Sequence, residues 1–327
     1  MDICIQEGKR VMSDSTREEL IKKIKTLNET IWERKITKNV IDLWIQNFNL
    51  TKFPEKERCY ALYLLSQFMF FGENEVREML KSLYRDLYKY PIISEIRKKN
   101  KDTTDIKLIE AEFKKILEST KFIGAGQPSG SGSFLSYSFR QQNSLPEKSF
   151  TTTADIINKN TEGEESLRFP QVTRYIFIDD LIGSGSQATK SLKEIVLKIK
   201  SINSEIHIKY LVLFAHQKGL KKISEETEID QVKAVFELDD SFRCFNKEKS
   251  RYFVNYQEDF DQNFAKKFCR DYGKKLYPGN PLGYKNGQLL LGFYHNTPNH
   301  TLPIFWSEGK DNFPWNRIFS RYGKGKR

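Results

Sequence analysis

The chain has 327 residues, of which 38% are hydrophobic and 30% charged, with a formal net charge of +11. This composition is that of a soluble globular protein and suits one large domain, or a catalytic domain with a helical addition. It excludes a membrane-spanning protein, because no apolar run approaches the ~20 residues a spanning helix needs. The opening residues MDICIQEGKR lack the apolar stretch of a secretory signal, so the cytoplasm is the expected location. Cys4, Cys59, Cys244 and Cys269 form no CxxC pair, and His207, His216, His295 and His300 lack the i, i+4 spacing of a metal-binding helix. No structural metal is expected. The basic surplus favours anionic partners: nucleotides, nucleic acid or acidic protein.

In chain order, the first third predicts helices. Leu20, Ile21, Ile24, Leu27 and Ile31 recur at helical spacing after a cap at Ser13 or Ser15. Ile36, Val40, Ile41, Leu43, Trp44 and Phe48 predict a second helix, and residues 54 to 71 a third. Asn74 caps a fourth, carrying Val76, Met79, Leu80, Leu83 and Leu87. Phe68, Phe70 and Phe71 fit a core better than a ligand box.

From about residue 121 short apolar runs alternate with Gly-rich turns and helical stretches. Lys121 to Ile123 predicts a strand ending at Gly124. Tyr175 to Ile178, Ile208 to Phe214, Val232 to Leu238 and Leu289 to Tyr294 predict four more, with helices over 186–200 and 257–272. Continuous apolar strands separated by helices imply an α/β fold with a mostly parallel sheet flanked by helices. Residues 141–170 are polar with few apolar anchors, which is the pattern of a functional lid or a disordered loop.

The segment from Arg174 to Gln187 (RYIFIDDLIGSGSQ) carries the chemistry. A buried strand ends at Asp179 and Asp180, and burying either carboxylate unpaired is costly, so both must emerge at the sheet edge. In an open parallel sheet, ligands bind at the carboxyl ends of the strands. A small-residue loop follows, then a helix beginning near Ser186. The first N–H groups of that helix lack partners within it and lie at the positive end of its dipole, which makes an anion site. Gly183 and Gly185 allow the backbone close to the anion, and Ser184 and Ser186 add hydroxyl donors. Ionised acids only accept hydrogen bonds, which suits ribose hydroxyls, so the segment predicts a sugar-phosphate site. A Walker loop is excluded because Ala188 and Thr189 stand where Gly-Lys is required. A dinucleotide fingerprint at Gly124 to Ser129 is disfavoured, because residues 133 to 139 (SFLSYSF) do not read as its helix.

Residues 174–187 resemble the PRPP loop of type I phosphoribosyltransferases: a hydrophobic strand, two acids, two apolar residues and a small-residue loop. The resemblance assigns the acids to Asp179 and Asp180, and phosphate binding to Leu181, Ile182, Gly183, Ser184, Gly185, Ser186 and Gln187. The departures are Ser184 for Thr, Ser186 for Gly or Lys, and Gln187 for a second Thr. Gly183 stands where some members place an acidic base. The resemblance also implies a pyrophosphate loop within Gly124 to Ser133, with Gly126, Ser129, Gly130, Ser131 and Arg140 as candidates, and Tyr137 beside them. It implies a mobile catalytic loop over 141–170, and Mg2+ held indirectly by Asp179 and Asp180 through ribose hydroxyls or water.

The run Asn296 to Trp306 (NTPNHTLPIFW), together with DDxxGSG at 179–185, is similar to a bacterial phosphoribosyltransferase-like group of conflict and antiphage systems. Asn296 and Asn299 become base-side candidates, while Trp306 is assigned to the core. The implied organisation is an N-terminal helical region, 1–118, and a phosphoribosyltransferase-like domain, 119–327, with a C-terminal hood and a basic tail. The implied function is a PRPP- or ribonucleotide-binding effector enzyme of a retron-like system, partnered by a reverse transcriptase and its nucleic acid. The alternative is a non-catalytic PRPP or nucleotide sensor.

Overall fold

The computed structural model describes residues 14–126, 130–254 and 260–322. In chain order the larger elements are α1 (Asp14–Thr30), α2 (Lys38–Gln46), α3 (Pro54–Leu65), β1 (Met69–Phe71) and α4 (Glu73–Ser82), then a π-helix (Leu83–Lys89) leading into α5 (Tyr90–Lys99). They continue as α6 (Ile106–Glu118), β2 (Thr120–Gly124), α7 (Ser131–Gln142), β3 (Ile157–Lys159), β4 (Glu165–Leu167), β5 (Arg174–Ile182) and α8 (Ser186–Ile202). Last come β6 (His207–His216), α9 (Gln217–Glu226), β7 (Gln231–Leu238), α10 (Gln262–Leu276), β8 (Leu291–Phe293) and α11 (Pro303–Trp306). No helix among the described residues is long and apolar enough to cross a membrane.

The chain forms two compact units, one of Met1–Glu73 with Asp240–Arg327 and one of Asn74–Asp239. This differs from a division at 118/119. The helices before residue 119 do not make one bundle: α1–α3 belong to the first unit, and α5 and α6 to the second. The reason lies in the aromatic contacts. Tyr88, on the π-helix, packs at 5.1 Å from Phe122 of β2 and 6.2 Å from Phe113 of α6. Its hydroxyl donates to Thr120 Oγ1 at 2.9 Å. The π-turn itself has a local cause. Pro91 has no N–H to continue the α ladder, and the preceding Tyr90 N–H reaches back five residues to Arg85 O.

The second unit holds a four-stranded, wholly parallel sheet in the order β2-β5-β6-β7. Four of the five predicted strands form this sheet and each is longer than predicted, whereas the fifth, Leu289–Tyr294, shortens to Leu291–Phe293 and pairs outside it. β5 is buried over Tyr175–Ile178 and runs four residues further, to Ile182. One face packs Ile123, Tyr175, Phe177, Ile208, Tyr210 and Val212 against Leu192, Val196 and Ile199 of α8 and Ile223 of α9. On the other side Phe122 meets Phe139 of α7 at 5.3 Å and Tyr88 of the π-helix. Parallel strands require crossovers, and each helical crossover buries an apolar stripe on the sheet.

Three expectations are corrected. Residues 133 to 139 are helical, within α7, because Gly132, Leu135, Ser138 and Phe139 recur on one buried face that the serines mask in the sequence. The third helix stops at Leu65, and Met69–Phe71 pairs in parallel with Leu291–Phe293 in the first unit, outside the main sheet. Of the two readings of 141–170, the disordered loop does not hold, because the segment is ordered. Phe150 bridges to Phe122, Thr151 N–H donates to Phe122 O at 3.1 Å, and β3 and β4 form an antiparallel hairpin. Ile156 is fully buried beneath it.

The first unit packs α1–α3 with α10, α11 and the C-terminal segment around an aromatic core. Trp44 stacks on Phe305 at 5.5 Å, and Phe48 contacts Phe268, Tyr272 and Trp315, each at 5.2 Å.

Candidate functional site

The two central strands deliver their carboxyl ends to one edge, and β5 delivers the acids. Asp179 stands opposite Val212 of β6 in the ladder, while Leu181 and Ile182 stand opposite Phe214 and Ala215. Leu181 and Ile182 are therefore still strand residues, and the turn proper is Gly183, Ser184 and Gly185. Gly185 has φ +76° and precedes the first residue of α8. A left-handed residue here lets the chain reverse sharply and direct the first-turn amides of α8 outward. Thr189 N–H closes the first turn on Gly185 O at 2.9 Å. Its hydroxyl is buried without a hydrogen-bond partner among the described residues.

The turn is seated on the first turn of α9. A Cβ on Gly219 would come within 2.3 Å of Gly183 O, and one on Gly185 within 2.8 Å of Gly219 O. Backbone approaches this close admit only glycine.

A second turn meets the acids from β2. A Cβ on Gly124 would lie 2.5 Å from Gly132 O, and one on Gly132 would lie 2.2 Å from Ala125 O. This contact clamps the end of β2 to the start of α7. Gly126 has φ +91°, and Gly130 is the extended cap of α7. Ser131, the first residue of α7, donates from Oγ to Asp179 Oδ1 at 3.3 Å. Two segments 48 residues apart thus converge. Ser129 lies outside the described residues.

Asp179 accepts two further hydrogen bonds, from Asp180 N–H to Oδ1 at 2.9 Å and from Tyr210 OH to Oδ2 at 3.0 Å. Burial, then the neighbouring Asp180 carboxylate, push Asp179 well above the usual carboxylate range; the Asp180 amide and Tyr210 hydroxyl oppose this. Tyr210 is itself raised by burial and by Asp179, so it remains a protonated donor. Asp180 is 8% exposed. The pair is an acceptor-rich, charge-repelling site that a hydroxyl-bearing or cationic ligand would relieve.

No cluster of three or more His, Cys, Asp or Glu suited to a metal occurs among the described residues. Two adjacent acids fit Mg2+ only in the way Mg2+ usually binds beside phosphates, with one or two carboxylates and the remaining ligands from water and substrate oxygens. Burial, and then the neighbouring Asp180 carboxylate, raise Asp179, and such a cation would offset both.

Arg140 is nine residues along α7 from Ser131, roughly 13 Å down the helix. Its guanidinium sits 5.7 Å from the Tyr137 ring and 3.8 Å from Glu147. Asn296 and Asn299 belong to the first unit. Asn296 Oδ1 accepts from Tyr322 N–H at 3.0 Å, and Asn299 O accepts from Tyr284 N–H at 2.7 Å. Trp306 donates its indole N–H to Thr301 O at 2.9 Å. The β3–β4 hairpin is tied to the far half of α8, where Glu165 meets Lys198 at 3.4 Å. A surface depression of about 450 Å³, lined by Leu197, Lys198, Lys200, Ser201, Ser204 and Glu228, also lies at that end of α8, away from the acids.

Sequence reasoning missed Tyr210, Gly132 and Gly219. Tyr210 looks like one more core aromatic in IKYLVLF, and only its register two residues before Val212, on the same face, brings its hydroxyl to Asp179. Gly132 was inside a recognised Gly-Ser run, but its role as a packing contact depends on α7 being a helix. Gly219 gave no sequence signal beyond being a glycine just after a strand.

A family model, PRTase-CE, matches residues 41–321. This chain belongs to the PRTase-CE family. Among solved structures, it is similar to Helicobacter pylori xanthine-guanine-hypoxanthine phosphoribosyltransferase at 10% identity and TM-score 0.28, over 52% of this chain and 89% of that one. It is similar to the AQ2163 protein of Aquifex aeolicus at 12% and 0.28, over 62% and 86%. Orotate phosphoribosyltransferase from Aeropyrum pernix follows at 14% and 0.24, over 48% and 75%. Similarities this weak carry no weight on substrate. No curated protein sequence matches the chain. The PRTase-CE match spans both compact units, so the family's defining sequence includes the aromatic first unit as well as the sheet.

Proposed function

We propose that this PRTase-CE protein binds PRPP, or a ribonucleotide, at the carboxyl edge of β5 and transfers its ribosyl phosphate to an acceptor. The observation that carries this is the convergence of Ser131, Tyr210 and the β5–α8 turn around Asp179. The amides from Gly183 to Gln187 hold the 5′-phosphate, with the hydroxyls of Ser184 and Ser186. Asp179 and Asp180 accept from the ribose hydroxyls, and Gly126, Gly130 and Ser131 serve the pyrophosphate. Asp179 and Asp180 would hold a Mg2+ ion indirectly, through water or ribose hydroxyls, and its chemistry there would be charge neutralisation of the leaving pyrophosphate. The protein's own contribution is positioning and electrostatic stabilisation.

A second use of the same site, as a PRPP or nucleotide sensor, is favoured by Gly183, which stands where some phosphoribosyltransferases place an acid. Purified protein given labelled PRPP, Mg2+ and a panel of bases separates the two. Pyrophosphate release supports transfer; binding without release supports sensing; no binding removes both. The further role, as effector of a retron-like antiphage system held by a reverse transcriptase, rests on the NTPNHTLPIFW run and the +11 charge. It predicts toxicity in cells that Asp179→Ala relieves.

A further inference from the structure

Glu57, on α3 in the first unit, is 1% exposed. It accepts one hydrogen bond, from Tyr272 OH to Oε2 at 2.7 Å. The direction is fixed, because the Tyr272 oxygen already accepts from Asn49 N–H at 2.7 Å and Leu50 N–H at 2.8 Å. Its proton is therefore left for Glu57. Among the described residues no cation pairs with this carboxylate, and the neighbouring ones are engaged elsewhere. Arg17 and Arg58 pair with Glu55 at 3.5 and 2.5 Å, Lys267 pairs with Asp271 at 2.7 Å, and Lys56 lies 4.2 Å from the Phe264 ring centre. A buried carboxylate is ordinarily paired, because leaving its charge uncompensated is costly.

Glu57 also lines a cavity of about 240 Å³, together with Leu50, Thr51, Phe264, Lys267, Phe268 and Asp271. The cavity therefore has an acid at its wall, two aromatic rings and an ion pair. Its volume is below the ~300 Å³ where drug-sized sites begin, which limits the occupant to a small molecule. Aromatic faces attract organic cations, and Lys56 already uses Phe264 in this way.

We propose that this cavity is a binding site for a small organic ammonium ion with an aromatic or short apolar body, its cationic nitrogen pairing with Glu57 and its body lying against Phe264 and Phe268. The site lies wholly in the first unit and does not depend on the ribosyl-phosphate reading. An ammonium there supplies the counter-charge that Glu57 otherwise lacks, and its fit is set by the acid rather than by apolar area alone.

The test uses the full chain with 2-phenylethylammonium and its uncharged counterpart 2-phenylethanol, followed by ligand-observed NMR and thermal shift. The ammonium should bind at least tenfold more tightly than the alcohol. Glu57→Gln, which keeps an acceptor for Tyr272, should remove that preference. Equal binding of the two probes, or no binding of the ammonium to the wild-type protein, overturns the proposal without requiring any variant to fold. Retention of the full preference in a folded Glu57→Gln protein overturns it as well.

Discussion

Tyr210 OH donates to Asp179 Oδ2 at 3.0 Å, across the join between the two central strands of the sheet. The bond links a core aromatic to the acid that the site depends on. Tyr210→Phe removes one of the few donors opposing the rise in Asp179. It should cost about 1–2 kcal/mol of stability in urea unfolding at neutral pH and weaken PRPP binding. Unchanged stability and binding would detach Tyr210 from the site.

Asp179 gives a pH signature of its own. Its folded pKa is raised above the ordinary value of 3.8, so the folded state holds this proton more tightly than the unfolded chain does. Stability attached to the group is therefore full below about pH 4 and declines as pH climbs toward the raised value. Asp179→Asn removes that decline. The variant should melt at a higher temperature than wild type at pH 7, the gap should close as pH falls to 4, and ribosyl-phosphate binding should be lost. A variant less stable at pH 7 than at pH 4, relative to wild type, would reverse the sign.

The glycine contacts under the turn give a sharper structural test. Gly185→Ala places a Cβ at φ +76° and 2.8 Å from a backbone oxygen, and Gly219→Ala places one 2.3 Å from Gly183 O. Each should destabilise by more than about 1 kcal/mol and displace the turn. Gly163→Ala, at a hairpin tip with no atom within 4 Å of the added carbon, shares the positive φ and serves as the control for strain alone. PRPP affinity should fall in the first two variants and hold in the third, by fluorescence or calorimetric titration.

Thiol chemistry reports on the first unit. Cys59, Cys244 and Cys269 are buried. Burial raises Cys59 to about 11 and pushes Cys244 and Cys269 well above the ordinary thiol value. At pH 8 the thiolate of each is scarce, and the thiolate is the reactive form. A disulfide reagent should label these three slowly in native protein and rapidly in guanidinium chloride. Fast native labelling of Cys244 or Cys269 would show that the aromatic core opens readily.

Much of this architecture was legible because the relevant signals are local. YIFIDDLI reads as a buried strand with acids at its end, and GSGS followed by an amphipathic run reads as a turn into a helix, which is how β5 and α8 stand. What escaped depended on distant partners. Met69–Phe71 is a strand only because Leu291–Phe293 pairs with it. The helicity of SFLSYSF rests on Leu135 and Phe139 finding burial against the sheet, against the weak helix preference of its serines. Lys121 explains part of the 141–170 segment: its ammonium donates to Lys148 O and lies 4.3 Å from the Phe169 ring, so a lysine in β2 holds a loop whose own sequence offers few anchors.

Isothermal titration calorimetry of PRPP with Mg2+ tests the central claim most directly, comparing wild type with the Asp179→Asn, Asp180→Asn double variant. Saturable binding to the wild-type protein and a flat titration for a folded double variant are the predicted results. Equal affinity for both proteins, or no binding to wild type, would contradict a ribosyl-phosphate site at the end of β5.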